Sequence, residues 1–202
     1  VSIAWRPCLP QALTMLHREL PPVADGRLPG DPGRPEPATT ARLFLALWPT
    51  ADEQLRLARH LRDWSWRQGT AVVRPERWHL TLHFIGALER RRITELSAGL
   101  QVAMTPFELS LTDAEIWPQG LAVLRASAPP DALMQLHARL GEALQALGLP
   151  VDRRRFRPHV TLARRATASI TPARPPQQSW RVSSYLLVES LTASGGGYQV
   201  LR

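Results

Sequence analysis

From residue 42 onward the apolar positions switch between a period of two and a period near 3.6, and the switches mark out the elements. Arg42-Leu43-Phe44-Leu45-Ala46-Leu47-Trp48 is a compact apolar run ended by Pro49, the length of a buried strand. Thr50-Ala51-Asp52-Glu53 has the pattern of a capping box, so a helix is predicted, with Leu57, Leu61 and Trp64 on its inner face and its end near Gly69. Val72-Val73 leads into a strand over 78–85, which Gly86 ends. Ile93, Leu96, Leu100 and Ala103 form the stripe of a second helix stopped by Pro106. Strands are predicted over 107–112 and 120–126, with Trp117-Pro118-Gln119-Gly120 as the turn before the latter. Leu133, Leu136, Leu140, Leu144 and Leu147 make the clearest amphipathic helix, opened by Pro130-Asp131 and closed by Gly148. A strand follows at 159–163, then a Thr-, Ala- and Pro-rich stretch that reads as an exposed loop to Gln178. The end of the chain predicts a strand over 180–192, a turn at Ser194-Gly195-Gly196-Gly197 and a last strand over 198–201.

Two of these strands carry the same pattern. Trp78-His79-Leu80-Thr81-Leu82-His83-Phe84 recurs in shortened form as Arg157-Pro158-His159-Val160-Thr161-Leu162-Ala163. Strict alternation puts Trp78, Leu80, Leu82 and Phe84 on one face of the first strand and His79, Thr81 and His83 on the other. In the second, Val160 and Leu162 bury while His159, Thr161 and Ala163 face the opposite way. Each motif strand follows a helix and precedes a further strand, an order that an internal duplication into two α+β lobes explains. His60 and His137 lie in predicted helices and are expected on the surface.

Composition sets the limits. A chain of 202 residues with 44% hydrophobic content supports one sizeable core or two small lobes. Residues 1–41 hold eight of the 19 prolines and a Pro/Gly/Asp/Arg mixture, so this extension is expected to be disordered, with 42–202 as the folded domain. The chain opens on Val1 and its first methionine is Met15, which raises the expectation of a start further downstream. The net charge of +8 comes wholly from 42–202 and points to an anionic partner such as RNA, although all 25 basic residues are arginine, as codon bias alone would give. The single cysteine, Cys8, excludes an internal disulfide and a cysteine zinc site. With no long apolar run and no continuous apolar leader, the expected location is the cytoplasm, and the expected state a monomer.

Two imidazoles facing one cleft suit acid–base chemistry near neutral pH, one taking a proton from a nucleophile while the other gives a proton to the leaving oxygen. Threonine hydroxyls and an arginine would hold the non-bridging oxygens of a phosphate. That chemistry needs no metal. A metal site of His79, His83 and His159 is the competing arrangement, and the lack of a carboxylate in either motif argues against it.

The paired His79-Leu80-Thr81-Leu82 and His159-Val160-Thr161-Leu162 resemble the twin motifs of the two-histidine phosphoesterases. The stretches 42–47, 73–86 and 156–164 narrow the resemblance to the RNA 2′,3′-cyclic phosphodiesterase branch, also called the bacterial 2′-5′ RNA ligase family. The resemblance covers about residues 42–202. It implies a bilobal α+β fold in which two antiparallel sheets, one motif in each, face a central cleft with helices outside. It implies opening of an RNA 2′,3′-cyclic phosphate end to a 2′-phosphate, no cofactor, and 2′-5′ RNA ligation as a related transfer. Carried over, His79 is the acid, His159 the base, Thr81 and Thr161 the phosphate-oxygen donors, and Arg164 the phosphate-binding arginine. Strict alternation places Arg164 opposite His159, so it reaches the cleft only if the strand ends or bulges near Ala163. Arg155 and Arg157 are candidates to track an RNA backbone, and Trp78, Phe84 and Phe156 to stack a base, although parity sends Trp78 and Phe84 to the core. His83 is expected to line the cleft. Where the family commonly has a basic Gly-Arg segment before its last strand, this chain has Ser194-Gly195-Gly196-Gly197, which removes support from RNA affinity and ligation more than from hydrolysis. Two other functions stay open: a non-catalytic arginine-rich RNA-binding module, and a phosphoesterase acting on a small cyclic nucleotide or a 2′-5′ oligonucleotide.

Overall fold

In the computed structural model, residues 39–191 and 196–201 are described. The expectations of disorder over 1–41 and of a turn at 194–197 fall mostly outside those residues. The first apolar run is β1, Thr40–Leu47, which starts two residues before the expected boundary and buries Ala41 as well. It lies between two partners, β3 (Leu80–Glu89) and β9 (Leu186–Leu191), both antiparallel to it. Central placement accounts for its burial on both faces from Leu43 to Leu47. The capping box then opens α1, Ala51–His60: the Thr50 hydroxyl accepts from the Glu53 amide at 3.3 Å, and Glu53 accepts from the Thr50 amide at 2.7 Å. A 3-10 turn over Leu61–Asp63 ends the helical run six residues before Gly69.

The remaining strands are β2 (Ala71–Val72), β4 (Phe107–Leu111), β5 (Asp113–Trp117), β6 (Leu121–Arg125), β7 (His159–Arg164), β8 (Gln178–Val182) and β10 (Gly197–Val200). The main sheet runs β10-β9-β1-β3-β7-β6-β5, with β2 paired to β7, and β4 pairs with β8 in a small second sheet. The two motif strands meet at one residue pair, Leu80 with Val160. Each half of the main sheet is an antiparallel unit in its own right, and this single pair is the seam between them. Leu80, Leu82, Val160 and Leu162 share a core with Leu57 of α1 and with Leu133, Leu136, Leu140 and Leu144 of α3, Asp131–Ala146. The helices therefore cover one face of the sheet and leave the other to the cleft.

Several boundaries differ from the alternation pattern. β3 does not end at Gly86 but continues to Glu89, because Gly86 adopts a φ of +83° and absorbs a bulge opposite Leu43. Val72 pairs with Ala163 of β7 instead of leading into β3, and a 3-10 turn over Pro75–Arg77 intervenes. The second helix, α2, is only Ile93–Gly99; the hydroxyl of Tyr185 donates to the Leu100 carbonyl and accepts from the Val102 amide, so 100–102 is held as a turn. β5 was not anticipated. The predicted strand over 180–192 is two strands in different sheets, β8 against β4 and β9 against β1, and the stretch after Arg165 buries Ala166, Ser169 and Gln178 instead of lying wholly exposed. No helix among the described residues is long and apolar enough to cross a membrane.

Candidate active site

The register at the seam sets the site. In an antiparallel pair centred on Leu80 and Val160, His79 stands across from Thr161, and Thr81 across from His159, all four on the face opposite the core. That face borders a cleft of about 760 Å³ whose walls include His79, Thr81, His159, Thr161 and Arg164, all five of the residues singled out from sequence. Arg42, Arg74 and Arg77 also line it, and no carboxylate does among the described residues.

Bulges decide what else enters. Ala46 pairs with Thr81 and Leu45 with His83, which leaves Leu82 without a partner; Val123 pairs with Thr161 and Ala122 with Ala163, which leaves Leu162 without one. Each extra residue reverses the parity of the strand beyond it. Arg164 therefore turns into the cleft while Ala163 is buried, and Phe84 lines the cleft at 69% exposure while His83 is 4% exposed in the core. Sequence parity had placed Phe84 and His83 the other way round. With His83 gone from the cleft, the alternative trio of His79, His83 and His159 does not assemble. Trp78 is buried, as parity expected.

His83 packs on Gly141 and donates from Nε2 to the His137 carbonyl at 2.8 Å; its ring stacks on His137 at 4.1 Å, which stacks in turn on Phe156 at 3.9 Å. His60 is buried and accepts from Trp64 Nε1 at 3.4 Å. Neither His60 nor His137 is the free surface residue that its helix pattern implied: α1 turns His60 inward, and the long loop after α3 folds Phe156 over His137. Arg154 is paired with Asp152.

The two cleft histidines are held alike. His79 Nδ1 lies 2.7 Å from the Arg77 carbonyl, and His159 Nδ1 lies 2.6 Å from the Arg157 carbonyl. A carbonyl only accepts, so in each ring Nδ1 carries the proton and Nε2 remains the titrating atom. Each ring also rests on a tryptophan. Trp48 stacks on His79 at 5.1 Å and 12°, with Phe44 and Tyr198 completing the enclosure at 5.0 and 5.2 Å. Trp117 lies 4.5 Å from His159. Burial lowers the pKa of His79 to about 4, the nearby positive groups His159 and Arg164 adding to the effect against the Arg77 carbonyl. Burial likewise lowers that of His159, with the Arg157 charge working in the same direction. Both imidazoles are therefore neutral at neutral pH.

The residues that sequence reading passed over are Trp48, Phe44, Tyr198 and Trp117. Phe44, Trp48 and Tyr198 lie within predicted strands and Trp117 in a predicted turn, and neither setting carries a sign of which ring an aromatic side chain will cover.

Two strands that each present a histidine and a threonine to one cleft define a two-histidine phosphoesterase architecture. A family model of the 2′-5′ RNA ligase superfamily matches residues 48–190, and the chain belongs to that superfamily. It is 34% identical over 128 residues to the RNA 2′,3′-cyclic phosphodiesterase of Escherichia coli (strain K12), an alignment covering 61% of this chain and 72% of that protein. Among solved structures it is similar to a phosphoesterase at 28% identity and a TM-score of 0.72, covering 80% of this chain and 95% of that one. It is also similar to E. coli LigT complexed with 3′-AMP at 27% identity and a TM-score of 0.70, covering 81% and 96%.

Proposed function

We propose that the protein opens 2′,3′-cyclic phosphate ends of RNA to 2′-phosphates by acid–base catalysis between two histidines, without a metal. The observation that carries this reading is the reciprocal placement of His79 and His159, each with Nδ1 tied to a carbonyl and Nε2 free, in a cleft that also holds Thr81, Thr161 and Arg164. His159 takes a proton from water as its oxygen attacks phosphorus. The bond from phosphorus to O3′ breaks, and His79 gives a proton to that oxygen. Thr81, Thr161 and Arg164 bind the non-bridging oxygens, where negative charge builds in the transition state. The phosphodiester brings its own negative charge to the buried His79, which favours the imidazolium form that an acid requires. A 5′-hydroxyl in place of water would form a 2′-5′ link by the same proton transfers, which is the side activity we assign to the site. The name of the E. coli relative and the arginines lining the cleft favour RNA as substrate.

Purified protein should convert an RNA ending in a 2′,3′-cyclic phosphate to the 2′-phosphate at an unchanged rate in EDTA. His79→Ala and His159→Ala should each lower turnover by roughly 10²–10⁴ while circular dichroism stays native. Full activity in both variants would remove the mechanism. Salt-sensitive RNA binding without turnover in the wild type would make the protein a binding module, and turnover of cyclic mononucleotides alone would change the substrate class.

A further inference from the structure

Glu115 does not line the cleft, yet every group that holds His159 is tied to it. Glu115 and Trp117 lie two residues apart on β5 and so share a face. Trp117 Nε1 donates to Glu115 Oε2 at 2.5 Å, and Arg125 Nε donates to Oε1 at 2.7 Å. Arg125 is in turn bridged to Asp113, which fixes the carboxylate on the β5–β6 hairpin. Arg157 Nη2 approaches Glu115 Oε2 at 3.5 Å, and the Arg157 guanidinium lies 4.2 Å over the Trp117 ring. That ring packs on His159, and the Arg157 carbonyl receives the His159 Nδ1–H. Burial opposes ionisation of Glu115, but the donors Trp117 and Arg125 outweigh it, so the carboxylate is charged. On the other side of the cleft, the Arg77 guanidinium donates to the Gly196 carbonyl.

We propose that Glu115 is a positioning residue for His159. By holding Trp117 and Arg157 together it fixes the orientation of the imidazole and its Nδ1–H tautomer, which keeps Nε2 as the atom facing the substrate. The proposal rests on the reading of His159 as one member of an acid–base pair, but the first part of its test does not need activity. In ¹⁵N spectra of the full chain, wild-type His159 should be the Nδ1–H tautomer. Glu115→Ala should give a mixture of tautomers at His159 and leave His79 as it was. Glu115→Gln keeps an acceptor for Trp117 but leaves the Arg157 charge unbalanced beside His159, so the His159 titration midpoint should fall below that of the wild type. A ring merely loosened into water would titrate closer to 6.5 instead. In turnover of cyclic-phosphate RNA, Glu115→Ala should lower kcat by about tenfold to a hundredfold with little change in KM, and Glu115→Gln should recover part of the loss. An unchanged His159 tautomer and midpoint in both variants, with only the melting temperature lowered, would reduce the network to a surface ion cluster and overturn the proposal. A wild type that turns over no substrate would count against the proposed function and leave the spectroscopic result standing.

Discussion

Five residues after each motif histidine the two strands differ: Phe84 in the first, Arg164 in the second, both facing the cleft. The halves are thus alike in their histidines and threonines and unlike in the next side chain that each presents to the cleft. Arg164 is the cation that the bulge at Leu162 delivers, and Arg165, at φ +56°, turns away as the strand ends. Arg164→Ala should lower kcat/KM for the cyclic phosphate by roughly 10²–10³, the size of losing one charge-stabilising donor, whereas Arg165→Ala should change it little. Steady-state kinetics on the two variants check this, and equal losses would mean that only bulk positive charge matters. At this scale the sequence was a good guide up to the third residue of each motif. His79, Thr81, His159 and Thr161 share a face because nothing interrupts alternation between them. Past Leu82 and Leu162 the parity reverses, and neither leucine announces a bulge.

Among the elements, those whose ends are set by local chemistry were legible. Thr50 and Glu53 satisfy amides within their own turn, and the four leucines of α3 from Leu133 to Leu144 mark one helix face regardless of partner. Thr50→Ala should destabilise the fold by about 1 kcal/mol, a shift of about 2–4 °C for a domain of this size, measured by thermal or urea unfolding. Glu53 also accepts from the Arg181 amide of β8 at 2.8 Å, so Glu53→Ala should cost more than Thr50→Ala; the reverse order would mean that the cap, not the bridge to β8, dominates. Elements whose ends depend on distant partners were not legible. α2 stops where Tyr185, from the far end of the chain, occupies the backbone groups of Leu100 and Val102. β8 and β9 read as one strand because only Ser183-Ser184 separates their apolar residues, with no Gly or Pro to mark the change of sheet.

At the scale of the whole fold, the five histidines among the described residues all have lowered pKa values with burial as the leading cause: His60, His79, His83, His137 and His159, with His79 and His137 at about 4. Below about pH 6.5 the unfolded chain binds protons that the folded one resists, so stability should fall as pH drops from about 6.5 toward 4. The urea midpoint measured at pH 7, 6, 5 and 4.5 should decline through that window, and a flat midpoint would show that the core histidines take up protons without strain. Composition hinted at none of this, since a histidine on a predicted helix carries no mark of what will pack over it. What the sequence by itself determined is the duplicated polar pair, the apolar faces behind it and the helix stripes that cover them, because periodicity and capping act over a few residues. The tertiary structure alone decided that Leu80 meets Val160, that Leu82 and Leu162 bulge, that Arg164 and Phe84 turn inward, and that Glu115 stands behind His159. Those outcomes depend on which strands pair and in what register, a choice made by packing between residues far apart in the chain.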